Sequence, residues 1–536
     1  MQRRSRTGCV DCRRAKVKCD EAVPTCGTCE RRGRRCQGYA FDRRTRNIKW
    51  KSIITVHDQQ KHESNNEYDR RAKRRKSESD STQSTSPRES DGSSPFSLPE
   101  QPEDEDPTEI VAIRPDSWEL AISDLSATIN LSPFPIGDCS PEDRLGLCAY
   151  FDRHPHELVI GSEPEFVKDM NMHFLSVFQQ NPEAMRDVLC GIGQVYLHRM
   201  GQSSSLVRAL DKRAKTLARI RSRNEIPQNI ELVLAIILGI CGLELIDTNY
   251  GPGDLSLQIL HSTTAVFVNQ YLSTGSILSA TSKFFLRGLA RQEMMIAITQ
   301  RRRPSIACSV WLDSECYNTA DRFMGFTMTI MPLWEEICGL AEDMKRTVSP
   351  HSLGSDLLSA GAEATMTTSQ AQNSLEIAIL HSRAAALRAR LDSWHPPSVP
   401  NFSGSSSQKF FRHAATYRSA GLLYLHRLLY SPGHSESADS LALSLAYEIF
   451  AHLTGPFSWL RLSLLPTLIA ACEFKRHDDR RMALDLFEGM YGSRNTFTTD
   501  TTKRFVVNRV WPSLDSGEEV TWMELAERYP GECVPI

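Results

Sequence analysis

Six cysteines, Cys9, Cys12, Cys19, Cys26, Cys29 and Cys36, crowd into the first 36 positions of a 536-residue chain whose other nine cysteines are scattered. Their order is C-x2-C-x6-C, six intervening residues, then C-x2-C-x6-C again, so the segment is two copies of one ligand unit. Thiolate sulfur is a zinc ligand, and zinc prefers four ligands in a tetrahedron. Six thiolates therefore either complete one site with two left over, or fill two sites if two sulfurs bridge. The duplicated spacing favours two Zn²⁺ ions. Four metal charges against six thiolates leave the cluster negative, and the Arg and Lys around it offset that charge and lower the thiol pKa values. A disulfide knot is opposed by the Arg-rich start from Met1 to Cys9, which leads into no apolar run and predicts a chain that is not secreted. An iron–sulfur site is opposed by the doubled unit, which offers no extra ligand.

Residues three apart share a helix face, so each C-x2-C pair fits the first turn of a short helix. The expected helices are Val10 to Val17 and Gly27 to Arg34. A segment this small has no adequate apolar core, and the metal must supply most of its folding free energy, about 10–16 kcal/mol per structural zinc. The first helix ends in Arg13, Arg14, Lys16 and Lys18, a basic edge pointing away from the cluster. A helix fits the major groove, where Lys or Arg donates to guanine O6 and N7 while neighbouring cations neutralise phosphates. The charge distribution agrees with a polyanionic partner at this end. Residues 1–76 hold 23 Lys and Arg against 9 Asp and Glu, a net +14, and the remainder of the chain carries −16. Double-stranded DNA is the partner this implies.

The run Cys9-Val-Asp-Cys12-Arg-Arg-Ala-Lys-Val-Lys-Cys19-Asp, followed by Pro24-Thr-Cys26-Gly-Thr-Cys29-Glu-Arg-Arg-Gly-Arg-Arg-Cys36, resembles the fungal binuclear zinc cluster of six-cysteine transcription factors. The resemblance covers residues 5–40. It implies that Cys9 and Cys26 bridge the two metals, that Lys16 reads a CGG-type triplet, and that Pro24 shapes the loop between helices. Ala15 departs from the basic residue many members carry there. Stretches of the body, Phe285 to Ser305, Ala320 to Met344 and Trp511 to Trp522, are similar to the helical fungal-specific transcription factor domain that often follows such clusters. That looser resemblance implies a regulatory module and assigns no site residue.

These elements are expected to sit in a mainly α chain: a zinc cluster domain at 5–40, a basic linker at 41–76, a disordered acidic and Ser/Pro-rich linker at 77–109, and an all-helical regulatory domain at 140–536. Arg70, Arg71, Lys73, Arg74, Arg75 and Lys76 read as a nuclear import signal, weighed against a solvated basic tail. Residues 77–109 hold almost nothing apolar besides Phe96 and Leu98, and a passive linker is favoured over a recruitment segment. In the body, Leu380, Ala384, Leu387, Leu391 and Trp394 fall at steps of four and three on one helix face. So do Phe410, Ala414, Tyr417, Gly421, Tyr424 and Leu428, ended by Ser431-Pro432-Gly433. Leu232 to Ile246 reads as a buried core helix, too short and too interrupted by Glu244 to span a bilayer. About a dozen helices are expected. His154, His156 and Glu157 read as a surface loop, Gly191 and Gly193 as part of an apolar helix with no dinucleotide fingerprint, and the nine later cysteines, such as Cys190, Cys241 and Cys338, as inert core residues. The sequons at Asn130 and Asn401 carry no weight in a chain that is not secreted.

The functional expectation is a nuclear, zinc-dependent, sequence-specific DNA-binding regulator of RNA polymerase II genes. The helical body would act through homodimerisation, transcriptional cofactors or a small-molecule effector, with no membrane partner. Residues 45–76 show no run of apolar a and d positions, so the protein binds as a monomer or the body pairs. Two rivals stand beside this reading. One is an interaction or scaffold protein recruited to DNA through partners. The other is an enzyme with an accessory zinc module, which lacks support because the sequence holds no nucleophile elbow, phosphate loop or paired His–carboxylate motif.

Overall fold

The computed structural model describes residues 17, 27–32, 139–157, 164–201, 206–222, 229–246, 254–348, 362–399, 404–453, 462–493 and 496–536. Two units divide the chain, residues 1–104 and 105–536. In the first, helix α1 spans Gly27–Glu30. It stops four residues short of the expected Arg34. The chain turns at Arg31 and Arg32, and the Arg32 N–H closes back on the Cys29 carbonyl at 3.1 Å. One helical turn fixes many dihedrals for few hydrogen bonds, so it needs outside support to persist. Val17, expected to end the first helix, has non-helical backbone and is half-buried. The rest of that helix and both linkers, 41–76 and 77–109, lie outside the described residues, as do both sequons.

The second unit is helical. Its long elements are α2 (Pro141–Glu157), α3 (Pro164–Gln180), α4 (Pro182–Arg199), α5 (Val207–Ser222), α6 (Ile230–Ile246), α7 (Asp254–Ser273) and α8 (Ala280–Gln300). After the short α9 (Cys308–Trp311) come α10 (Met331–Val348), α11 (Ala362–Ser393), α12 (Gly404–Leu429), α13 (Glu436–His452), the short α14 (Leu464–Ala471) and α15 (His477–Ser493). Three short helices, α16 (Phe497–Phe505), α17 (Trp511–Ser516) and α18 (Trp522–Arg528), finish the chain, with a π turn at Val506–Val510 between the first two. Twelve of these helices have 16 or more residues, which matches the expected dozen, and five shorter ones add to it. Among the described residues there is no strand, only an isolated bridge between Asp321 and Gly325.

Helix α6 is the centre. Every residue except Glu231 is buried, so it has no solvent face and must be enclosed. Helices α4, α5, α7, α8 and α16 all pack on it. The expected stripe on α11 is buried at Leu380, Ala384, Leu387 and Leu391, while Arg388, Arg390 and Asp392 are exposed. On α12, Phe410, Ala414, Tyr417 and Tyr424 are buried, and the helix ends before Pro432 and Gly433 as expected. All nine later cysteines are buried. His154 corrects the loop expectation: it lies in the last turn of α2, 1% exposed, with Nδ1 3.0 Å from the Tyr196 hydroxyl and its ring stacked on Tyr150. The neighbouring Pro155 suggests a break, but its carbonyl accepts a hydrogen bond at 2.6 Å from the buried guanidinium of Arg322, so tertiary contacts hold the turn.

Glycine sets how closely α2 and α4 approach. A Cβ on Gly193 would lie 1.8 Å from the Gly146 carbonyl oxygen, a backbone atom that cannot rotate away. Gly193→Ala should therefore destabilise the body by at least about 1–3 kcal/mol, read as a lower urea midpoint. Gly492→Ala, in α15 with nothing within 4 Å, should leave that midpoint equal or slightly higher.

Two buried histidines add a pH dependence. Burial, helped by Arg302, pushes His261 down to about 3, and neither ring nitrogen has a hydrogen-bonding partner. Burial pushes His413 down to about 3 against the opposing effect of its Nε2–H donating to the Leu462 carbonyl. Both are neutral when folded and take a proton near 6.5 when unfolded. The unfolded state therefore binds more protons in between, and stability falls as pH drops below 6.5, by about 1.4 kcal/mol per pH unit for each histidine. The carboxylates held low by cations, such as Asp343 and Glu527, lose their contribution only at lower pH. His261→Leu should flatten the slope of urea stability between pH 6.5 and 5 by about one proton; an unchanged slope would remove His261 from this account.

Candidate metal centre and charged sites of the body

Of the six clustered cysteines, Cys29 falls among the described residues, and Cys9, Cys12, Cys19, Cys26 and Cys36 fall outside them. Arg13, Arg14, Lys16 and Lys18 are also outside, as is the basic run from Arg70 to Lys76. What is described is informative. Cys29 is 2% exposed, on a one-turn helix of sequence Gly-Thr-Cys-Glu that contributes no aliphatic or aromatic side chain. Cys26 immediately precedes that helix, three positions from Cys29. Arg31 and Arg32 follow it and are exposed.

A sulfur buried on an element that brings no apolar surface fits a structural thiolate ligand better than a core thiol. Burial without a metal would favour the neutral thiol, whereas a bound cation and nearby guanidinium groups favour the thiolate. The residues present thus suit zinc, through soft thiolate donors at paired spacing.

The body handles its charges differently, by pairing them internally. The Arg301-Arg302-Arg303 run that closes α8 sends each side chain to a separate partner. Arg301, the one non-glycine residue with positive φ among those described, makes a two-pronged pair with Glu527 of α18 at 2.8 Å. Arg302 turns back to the fully buried Glu293 at 2.6 Å. Arg303 reaches Glu342 and, at 3.0 Å, Asp343 of α10. Farther on, the buried Arg427 holds Glu473 at 2.6 Å and Asp439 at 2.9 Å. Apart from Arg302, which folds back on its own helix, these are staples between helices, and their partners lie 12 to 226 positions away, beyond the reach of local sequence patterns.

A cavity of 680 Å³ lies where the α8–α9 connection meets α10 and α11, walled by Arg303, Cys308, Glu335, Glu336, Arg383 and Arg390. Its charged groups are engaged: Arg390 grips Glu336, Arg383 reaches Asp343 at 2.8 Å, and Glu335 accepts from the Cys308 N–H at 2.9 Å. Burial pushes the Cys308 thiol up, the opposite of an activated nucleophile. The cavity offers a polar rim for a small molecule. No helix among the described residues is long and apolar enough to cross a membrane.

Comparison with known proteins places both halves. The family described as fungal specific transcription factor domain matches residues 159–531, and the fungal Zn(2)-Cys(6) binuclear cluster domain matches residues 7–46. The latter binds two zinc ions. The chain is similar to White-opaque regulator 2 of Candida albicans, 54% identical over 39 residues, which is 7% of this chain and 9% of that protein. It is 50% identical over 38 residues to the transcriptional regulatory protein moc3 of Schizosaccharomyces pombe, 7% of this chain and 8% of that one. It is 54% identical over 39 residues to the aspercryptin biosynthesis cluster-specific transcription regulator atnN of Emericella nidulans, 7% and 6% respectively. The chain thus spans less than a tenth of the length of these curated relatives. No solved structure matches.

Because Cys29 is buried on a one-turn helix that brings no aliphatic or aromatic side chain, Cys29→Ser in the full chain should lower bound zinc below two per molecule by mass-spectrometric metal analysis. Cys190→Ser, which alters a core thiol that donates to the Asp143 carbonyl, should retain both. Equal zinc content in the two variants would contradict the assignment.

Proposed function

The chain belongs to the fungal specific transcription factor domain family, whose matched region covers most of it, and from that premise we propose that it is a zinc-dependent, sequence-specific DNA-binding regulator of RNA polymerase II genes. Cys9, Cys12, Cys19, Cys26, Cys29 and Cys36 would hold two Zn²⁺, the metals supplying the folding free energy that a coreless segment lacks. The observation that supports this most directly is the buried Cys29 sulfur on a one-turn helix, set within a doubled C-x2-C-x6-C unit.

In this reading, residues 5–40 form the DNA-binding domain. Lys16 donates to the guanine edge of a CGG-type triplet, and Arg13, Arg14 and Lys18 neutralise flanking phosphates. Residues 41–76 extend the basic surface, with Arg70, Arg71, Lys73, Arg74, Arg75 and Lys76 directing nuclear import. Residues 77–109 link this end to a regulatory body at 140–536, which would pair with a second copy, recruit cofactors, or take a small effector in the 680 Å³ cavity. White-opaque regulator 2 and the aspercryptin cluster regulator are named as regulators, which supports the class and leaves this chain's targets to be found.

The test is a binding titration of the zinc-loaded full chain on CGG-containing and scrambled duplexes. The logarithm of affinity should fall with the logarithm of salt at about −0.9 per neutralised phosphate. Lys16→Ala should reduce the preference for CGG, by about 1–3 kcal/mol of discrimination, while Arg13→Ala should weaken all duplexes alike. Equal loss on every duplex for Lys16→Ala would take base reading away from Lys16, and binding indifferent to salt would sink the phosphate-anchored mode as a whole.

A further inference from the structure

Helices α5 and α7 both pack on α6 and leave an apolar groove between them, 460 Å³ in volume. Leu217 and Ile220 form one wall and Ile259, Thr263 and Phe267 the other. Ile259 is 62% exposed, and Val266, seven positions along the same face of α7, is 52% exposed. On the groove floor, the Arg213 Nε donates to Glu244 at 2.6 Å, so an apolar occupant would strand no charge there. The cations of α5 are paired: Arg208 with Glu142, Lys212 with Asp143 and Asp187, Arg213 with Glu244, Lys215 with Asp211 and Arg219 with Asp187. The groove therefore suits the apolar face of an amphipathic helix.

We propose that the occupant is this chain's own segment from Asp116 to Leu131. Asp116 followed three positions later by Glu119, ahead of an apolar run, is a helix-start signature, and Pro133 lies just past the other end. Trp118, Ile122, Leu125 and Ile129 fall at steps of four, three and four, the spacing of a single helix face. Between Pro115 and Cys139 there are four carboxylates, Asp116, Glu119, Asp124 and Asp138, and no Lys or Arg.

The segment also ends in the right place. The start of α2 is tied to α5 by Lys212 to Asp143 at 2.9 Å and Arg208 to Glu142 at 3.7 Å. From Lys212 to Ile220 is about 12 Å along α5, at 1.5 Å per residue. The eight residues from Leu131 to Cys139 span up to about 27 Å, enough to bring the segment over the groove. A tether this short gives an effective concentration of order millimolar, so a modest groove contact suffices to keep it docked. While docked, an acidic amphipathic segment of the kind that binds helix grooves on other proteins would be withheld from them. The inference stands on the body alone and is independent of DNA binding.

Hydrogen exchange on the full chain tests it. Amides of residues 117–131 should exchange at least tenfold more slowly than an unstructured chain, and that protection should be lost both in Ile259→Asp, on the groove, and in Trp118→Ala, outside it. Amides of α6 should stay protected in both variants, and dilution should change nothing. Unprotected exchange in the parent chain would overturn the proposal, as would protection that survives both substitutions. Protection that weakens on dilution would assign the groove to a second copy and overturn it equally.

Discussion

Helix α6 imposes the organisation of the body, because a helix apolar on all sides has nowhere to meet water. Its neighbours must supply a full ring of apolar faces, and those that approach most closely do so over glycine. A Cβ on Gly239 would lie 2.7 Å from a methyl of Val188 in α4, and one on Gly242 would lie 3.1 Å from the His154 ring in α2. The single charge near the end of α6, Glu244, is admitted only because Arg213 of α5 reaches in to meet it. Enclosing α6 thus fixes where α2, α4 and α5 stand, and with them the groove beside α7. Burying one helix completely leaves its outer neighbours with faces that only partly find cover.

The N-terminal unit meets the opposite constraint. It is too small to bury anything comparable, and its described helix, α1, is one turn long with a buried sulfur in the middle. In the body, shape comes from burial worth about 25 cal/mol per Å² of apolar surface, gathered over many side chains. A cluster that binds two zinc ions takes its shape from a few metal–sulfur bonds instead. Such a cluster frees its surface from the duty of covering a core, and the sequence around the six cysteines is rich in arginine and lysine. A short segment can then carry a high positive charge and still hold one shape.

Features governed by local periodicity were legible in the sequence. The α6 helix follows from a continuous apolar run, the buried stripe on α11 and the α12 face follow from spacings of three and four, and the cysteine spacing pointed to the zinc that the matched family binds. Features governed by distant partners were not. Nothing near His154 says that Tyr196 and Tyr150 will enclose it, and Pro155 points the wrong way. The contact between Gly146 and Gly193 depends on two residues 47 positions apart, each unremarkable alone. Helix α1 ends at Glu30, a limit that the C-x2-C pattern does not state. The Arg301-Arg302-Arg303 run looks like a basic patch and is in fact three internal staples, since charge counting cannot see which carboxylates will be near. The base-reading and import roles of Lys16 and the Arg70–Lys76 run rest on residue type and position, because those residues lie outside the described structure.

Charge also orders the chain along its length. The first 76 residues carry +14, residues 77–139 carry −12 with 14 Asp and Glu against 2 Lys and Arg, and the helical body is left near neutral at −4. At physiological salt the screening length is about 8 Å, so exposed charges farther apart than that hardly act on one another. The strong charge of this chain therefore belongs to its first 139 residues. Within the body, charge is met locally: Arg208, Lys212, Arg213, Lys215 and Arg219 of α5 pair with Glu142, Asp143, Glu244, Asp211 and Asp187 in turn, so this strip presents little net charge. An occupant of the groove beside it is therefore selected by its apolar face, and a duplex, which offers none, is a poor candidate.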